Sequence, residues 1–308
     1  MSADIRASTT TTSSPAPPQD RPGAVGEYVE YPPVETTAAG AGSHERAGAV
    51  AFVARFARRH IQGLVFVVVL LVLVGMWQLA ASQGWVNPLI LSSPSAVFDA
   101  LINYLGSPQA AIDLRTSGIE LAAGFGIVVA AGVTIGLLAG TSRVVDIVVS
   151  PLVNMLNSVP RIALIPIFII IFGIGVESKI ATIVAVALIP VIISAQAGVR
   201  SVPAELLTVA VVFDANALQR FTKVLLPGAI PAIIGGLRIG LGQALVGVIV
   251  GEFFAASAGI GFFMIKSANQ LQTANVLAGT VIVTVIGWSL ATAMTVAERY
   301  FHRRHGGI

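Results

Sequence analysis

Two charged side chains, Arg161 and Glu252, lie inside long apolar stretches, where an unpaired charge in lipid costs several kcal/mol. Arg161 shares its stretch with Asn154 and Asn157. We expect these residues to face protein or water, and Asn154, Asn157, Arg161 and Glu252 are candidates for lining a translocation pathway. In that role Arg161 would help an anionic solute to cross, whereas at an interface it would only extend toward the headgroups. Glu252 would act in gating or as a structural hydrogen-bonding group.

Other reactive groups are scarce. The sequence contains no cysteine, which excludes disulfides and thiol nucleophiles, and its four histidines lie outside the apolar stretches. No G-x-x-x-x-G-K-[ST] loop is present to bind ATP phosphates, and we find no metal-binding histidine pair, acidic dyad or nucleophile elbow. We therefore expect no enzyme activity and no cofactor, and any ATP must be bound by a separate chain.

The elements that carry these residues are membrane spans. The 308 residues are 55% hydrophobic and 11% charged, with a mean hydropathy of +0.86, and soluble domains are about a quarter charged. Stretches of roughly 20 apolar residues are long enough to cross a bilayer as helices. The sequence predicts an all-α membrane protein with six such helices: 62–82, 118–141, 146–172, 179–199, 228–254 and 274–297.

Basic residues orient the spans, because cytoplasmic loops are enriched in lysine and arginine. Clusters precede span one and follow spans two, four and six, whereas the other side holds only Arg115, Lys179 and Lys266. Both termini and the segment between spans four and five are therefore predicted to be cytoplasmic, in a multi-pass membrane protein. Residues 1–45 read as a disordered tail, 46–117 as the first helix and its outer connection, 118–300 as the core, and 301–308 as a short tail.

The cytoplasmic segment, residues 203–227, reads as two short helices separated by a hinge. Pro203 suits the start of the first helix, and Asp214 is predicted to cap the start of the second. Leu218, Phe221 and Leu225 fall on one face of that helix. An amphipathic loop lying on lipid headgroups is the alternative.

This segment resembles the EAA loop of permease subunits in bacterial ATP-binding-cassette importers. The matching letters are Glu205, Ala210 and the ending "LLPGAIP", and Asp214 stands where the family usually has glycine. In that family the loop is a coupling helix that docks on the cytoplasmic ATPase. The resemblance assigns the coupling role to these residues: Glu205, Ala210, Asp214, Leu218, Phe221 and Pro227.

Upstream, the stretch from "SGIELAAGFG" to "FGIGVESKI" is similar to the nitrate, sulfonate and taurine branch of these permeases. Glu120 stands near a position that is often arginine, and Arg161 replaces a small or apolar residue. The resemblance implies a type I importer permease fold in the bacterial inner membrane, a second permease copy in a homodimer, ATPase subunits and an extracytoplasmic binding protein. The transported solute would be a sulfonate such as taurine, nitrate or bicarbonate, with a thiamine-precursor pyrimidine as the alternative.

Glycines spaced four apart occur in spans two and five, at Gly132–Gly136–Gly140, Gly236–Gly240 and Gly247–Gly251. Such spacing lets helices approach backbone to backbone. We expect packing within one subunit, with a subunit contact as the alternative. A secondary transporter would instead show repeated halves, with broken helices and ion-coordinating charges near the midplane, and we find no such halves in the sequence.

Overall fold

The computed structural model describes residues 65–85, 87 and 89–305, and the described residues are helical, without strands. By its internal contacts the chain divides into Met1–Val65 and Phe66–Ile308, and the following account concerns the second unit. The predicted N-terminal tail and the start of the first span lie outside the described residues. The helices are α1 Val65–Ser82, α2 Pro94–Leu105, α3 Pro108–Thr141, α4 Arg143–Asn157, α5 Ile165–Phe172, α6 Val176–Arg200, α7 Ala204–Val212, α8 Ala217–Arg220, α9 Leu226–Ala255, α10 Ile260–Asn269 and α11 Thr273–His305.

Within the described part of the chain, five helices or helix pairs are long and apolar enough to cross a membrane, namely α1, α3, α6, α8 with α9, and α11. The third predicted span, 146–172, is not a continuous helix. It is broken into α4 and a second half, Arg161–Phe172, and the two halves meet at an angle of 89°. Pro160 explains the break, because a proline disfavours helical geometry in the residue before it, and α4 ends at Asn157. Counting this bent pair as one span gives the predicted six.

Helix α6 is the centre of the described bundle, with α3 on one side and α9 on the other. Their glycines allow the close approach: a Cβ added at Gly136 would lie 2.6 Å from both the Ala195 Cβ and the Ile192 carbonyl oxygen, and one at Gly240 would lie 2.6 Å from a Val191 methyl group. The other predicted glycines also face α6: Gly132, Gly140, Gly236, Gly247 and Gly251. Their packing within one subunit is confirmed.

The broken span leaves much of its apolar surface uncovered within the described chain. Half or more of the side chain is exposed at several positions, whereas Val153 and Ile165 on the other face are buried. The most exposed apolar side chains of the broken span are Val144, Ile147, Val148, Met155, Ile170 and Ile171. Lipid or another protein must cover such a surface, since exposed apolar patches of this extent are unusual in soluble monomers.

Candidate functional site

Arg161 lies at the break of the third span, as the first residue of a 3₁₀ turn, Arg161–Leu164. Its half-buried guanidinium donates through Nη1 to the Val186 carbonyl oxygen of α6 at 3.0 Å, and through Nη2 to Asn157 Oδ1 at 3.2 Å. The structure thus brings Arg161 and Asn157 together, while Asn154 is exposed one turn earlier. Arg161 is anchored on a backbone carbonyl, which differs from a side chain that only extends toward headgroups.

Glu252 of α9 is fully buried and belongs to a different group of polar residues. Its Oε1 accepts from Ser117 Oγ at 2.6 Å, and its Oε2 accepts from the Gly261 N–H at 2.6 Å. Among the described hydrogen bonds none joins Glu252 to Arg161 or Asn157. Glu252 therefore makes the structural hydrogen bonds that were one of its two expected roles, and its part in gating stays a prediction.

Sequence reasoning missed the partners of Glu252. Asp113, Ser117 and Glu120 are buried on α3, and Lys179 of α6 forms an ion pair with Glu120. We call Asp113, Ser117, Glu120, Lys179 and Glu252 the buried polar cluster. Lys179, which the sequence places on the side of the membrane opposite the cytoplasm, is the fourth residue of α6, and its side chain is buried against α3. Its side of the membrane stays a prediction. The available signal was the i, i+4, i+7 spacing of Asp113, Ser117 and Glu120, which places them on one helix face.

The buried polar cluster holds the start of α10. The N–H of Gly259 donates to Asp113 Oδ1 at 2.9 Å, and that of Ile260 donates to Ser117 Oγ at 2.9 Å. Together with the Gly261 bond to Glu252, these contacts satisfy N–H groups that a helix N-terminus leaves without partners. Gly259 has φ +127°, and a Cβ there would collide with the Glu252 carboxylate, so glycine is required.

Tyr104 of α2 also hydrogen-bonds to the buried polar cluster. Its hydroxyl donates to Asp113 Oδ2 at 2.9 Å, and its ring stacks on Phe263 with centroids 3.8 Å apart. Burial, followed by the hydrogen bond to Asp113, raises the pKa of the Tyr104 hydroxyl above its ordinary value. The phenol therefore stays a neutral donor, and it ties α2 to α3 and α10.

The predicted coupling segment forms two short helices with a tight turn, as expected. Helix α7 follows Pro203, and Glu205 lies exposed in its first turn. Asp214 does not cap α8, and that prediction was wrong. Asp214 has φ +52° and follows the end of α7, where its N–H donates to Val211 and the N–H of Ala215 donates to the Ala210 carbonyl. These two bonds form a Schellman motif, whose left-handed position favours glycine, which explains the family's usual residue there.

Asn216, two residues further, is the N-cap of α8. Its side chain accepts from the Gln219 N–H at 2.9 Å, and the Gln219 side chain accepts from the Asn216 N–H at 2.9 Å, which completes a capping box. The helix continues through a π turn, Phe221–Leu225, into α9, with Pro227 in the first turn of α9. The turn between α7 and α8 is therefore fixed by backbone hydrogen bonds on the α7 side and by the capping box on the α8 side.

The tip of this segment is apolar and exposed. Val212, Phe213 and Leu218 are 75%, 80% and 70% exposed, whereas Phe221 and Leu225 are half-buried. The predicted face of Leu218, Phe221 and Leu225 is thus only partly available for a partner. We call Val212, Phe213 and Leu218 the apolar tip.

A second polar contact holds the segment at its entry. Arg200, at the end of α6, pairs with Asp146 in the first turn of α4, with Nη2 and Oδ1 2.5 Å apart. Gln196 Nε2 donates to the same Asp146 oxygen at 2.7 Å and to Ser150 Oγ at 3.0 Å. The last turn of α6, from which the coupling segment departs, is thereby tied to the start of the broken span.

The comparisons with known proteins agree with this architecture. The chain is 33% identical to the putative aliphatic sulfonates transport permease protein SsuC of Bacillus subtilis over 228 residues, which cover 74% of this chain and 83% of that protein. It is 33% identical to the taurine transport system permease protein TauC of Escherichia coli over 245 residues, 78% of this chain and 89% of that protein.

A chain from inward-facing structures of the MetNI methionine ABC transporter has the same fold, with a TM-score of 0.55 at 19% identity, over 61% of this chain and 94% of that one. Residues 132–306 match the family described as binding-protein-dependent transport system inner membrane component. This match spans more than half of the chain. The protein therefore belongs to that family, the transmembrane permease subunits of ATP-binding-cassette importers, in its sulfonate, taurine and nitrate branch.

Proposed function

We propose that this permease pairs with a second copy of itself to form the pathway for a small anionic solute of the sulfonate type. A separate cytoplasmic ATPase would drive transport through residues 203–227, and an extracytoplasmic protein would deliver the solute. The relatives named for aliphatic sulfonates and taurine support this substrate class. The arginine clusters support a topology with both termini in the cytoplasm.

The observation that carries the coupling role is the apolar tip. Three large apolar side chains project from a turn whose backbone is fixed by the Schellman motif and the capping box. A fixed, exposed apolar projection suits insertion into a groove of a protein partner, because rigid anchors lose little conformational entropy on binding. The basic residues Arg220 and Lys223 in the same segment support its cytoplasmic placement.

The pathway is proposed to lie along the broken span. Its exposed apolar face is large enough to need a cover, and Asn154, Asn157 and Arg161 provide polar groups at the bend. If a second copy covers part of this face, the two bends meet around a polar opening. Residues Asn154, Asn157 and Arg161 are then in the position expected for a pathway that admits an anion.

The coupling role is tested by placing a charge on the tip. Phe213→Asp should weaken co-purification of the ATPase, because truncating a central aromatic anchor commonly costs about 2 kcal/mol or more, which is roughly a 30-fold loss of affinity. Phe221→Asp should have a smaller direct effect on docking, since Phe221 is half-buried in the permease itself. The matched control is Thr222→Asp, which adds the same charge at an exposed polar site of the segment.

Each variant is expressed with the ATPase and the binding protein, purified through a tag on the permease, and assayed for uptake of radiolabelled taurine in proteoliposomes. Wild-type co-purification by Phe213→Asp would show that the segment lies on the headgroups instead. Uptake of a pyrimidine and not of taurine would contradict the proposed substrate class.

A further inference from the structure

Arg161 and Pro190 form a complementary pair, although they lie on different helices. Pro190 is in the interior of α6. Proline has no N–H, so it cannot donate to the carbonyl four residues earlier, which belongs to Val186. That carbonyl is the one to which Arg161 Nη1 donates, at 3.0 Å.

The contact gives the Val186 carbonyl oxygen a hydrogen-bond donor that the membrane interior does not offer. A backbone carbonyl freed by proline inside a transmembrane helix needs another donor, because lipid offers none. Arg161 provides this donor from the break of the third span, and Asn157 holds the second arm of the guanidinium. The break is thus fixed at the proline position of α6.

We propose that Arg161 is a positioning residue: by replacing the missing N–H of Pro190, it joins the broken span that borders the pathway to α6, the helix that leads into the coupling segment. The Asp146–Arg200 pair makes a second connection between the same two elements, at the other end of α4. Movement of α6 is therefore passed to the broken span at both points. This inference rests on the proposed function, since it assigns the broken span to the pathway.

The test is a rescue experiment with the reconstituted permease, ATPase and binding protein, in which taurine transported per ATP hydrolysed is the readout. Arg161→Ala leaves the Val186 carbonyl without its donor, and it should lower this ratio about tenfold or more, as expected for one lost hydrogen bond to a charged donor. Pro190→Ala restores an N–H at position 190. In the Arg161→Ala/Pro190→Ala double variant the ratio should return to within about twofold of Pro190→Ala alone, because coupled sites deviate from additivity.

Pro151 of α4 provides the matched control. It also lies inside a helix, and no described side chain donates to the Ile147 carbonyl four residues before it. Pro151→Ala should therefore not rescue Arg161→Ala. An unchanged ratio in Arg161→Ala, a double variant as low as Arg161→Ala, or equal rescue by Pro151→Ala would each overturn the inference.

Two further measurements separate positioning from other roles. Arg161→Gln keeps a neutral N–H donor, whereas Arg161→Met keeps only the length of the side chain. Arg161→Gln should therefore transport more taurine per ATP hydrolysed than Arg161→Met, and this comparison does not require Pro190→Ala to assemble. Equal losses in the two variants would overturn the inference. The taurine concentration for half-maximal uptake should stay the same in Arg161→Ala, and a rise at unchanged maximal rate would show that Arg161 binds the solute instead.

A failure of the proposed function can be distinguished from a failure of this inference. If the wild-type complex does not transport taurine, the proposed substrate is wrong, and the same variants are compared by the ATP hydrolysis of the permease–ATPase complex, which needs no solute. A change in hydrolysis in Arg161→Ala that Pro190→Ala reverses would support positioning. A change that Pro190→Ala leaves in place would overturn it.

Discussion

The ion pair between Lys179 and Glu120 offers the sharpest test of how the bundle is held together. Glu120 is fully buried and Lys179 is 4% exposed, and the two residues join α3 to α6. Lys179→Met would leave the Glu120 carboxylate buried without its ammonium partner. Removing one member of a buried pair destabilises a protein by about 3–5 kcal/mol, because the remaining charge cannot be solvated.

Replacing both members should cost much less. Glu120→Leu/Lys179→Met fills the same space with apolar groups of similar size, and such exchanges are often neutral or stabilising. The Arg238–Glu298 pair between α9 and α11 is the control, since its side chains are 38% and 26% exposed. Arg238→Met should cost only about 0–1 kcal/mol, as is usual for pairs that water reaches.

The assay is thermal unfolding of the purified permease–ATPase complex in detergent, followed by tryptophan fluorescence, for which the permease has three tryptophans. A loss of 3–5 kcal/mol corresponds to a melting temperature lower by on the order of 10 °C for a chain of this size. Lys179→Met is expected to show this shift, and the double variant to recover most of it. If Lys179→Met melts with the wild type, or the double variant melts as low as the single one, the pairing argument is wrong.

Two other predictions concern the cytoplasmic side. Because the chain has no cysteine, a single introduced cysteine is the only site that a maleimide can label. Thr222→Cys should react with a membrane-impermeant maleimide only from the cytoplasm, and Gln270→Cys should react only from outside. Reversed labelling would refute the proposed orientation. Asp214→Gly should keep ATPase co-purification at the wild-type level, because glycine adopts φ +52° without strain. Asp214→Val should reduce co-purification, since a β-branched residue is strongly disfavoured at this φ. Equal binding of the ATPase by both variants would show that the turn is not needed for docking.

Local signals in the sequence predicted the elements well. The apolar stretches gave the spans, and the glycine spacing gave the packing of α3 and α9 on α6. A proline such as Pro160 favours a break in a helix, but the 89° bend could not be predicted from it, because a proline restricts only the residues next to it. The direction taken after the break depends on contacts with α6, such as the one from Arg161 to Val186.

Contacts between distant positions could not be read from the sequence. Glu120 and Lys179 are 59 residues apart, and Arg161 and Val186 are 25 apart, so no local spacing pairs them. The capping error at Asp214 has a different origin. "FDAN" offers two capping residues, and propensity cannot choose between them; the choice is made by the Schellman bonds that close α7, which place Asp214 outside both helices.

These contacts also limit how the permease can move. Helix α6 is packed against glycine backbones of α3 and α9, and the Lys179–Glu120 pair and the contact of Gly251 with Lys179 hold its first turns. Since packed interfaces of this kind shift as units and do not deform continuously, we expect α3, α6 and α9 to move as one body. Under the proposed positioning role, the broken span would follow this body through Arg161 and Asp146. We then expect flexibility in the connections of the coupling segment, and under the proposed coupling role a push on the apolar tip would change the angle of the pathway helices without disturbing the buried polar cluster.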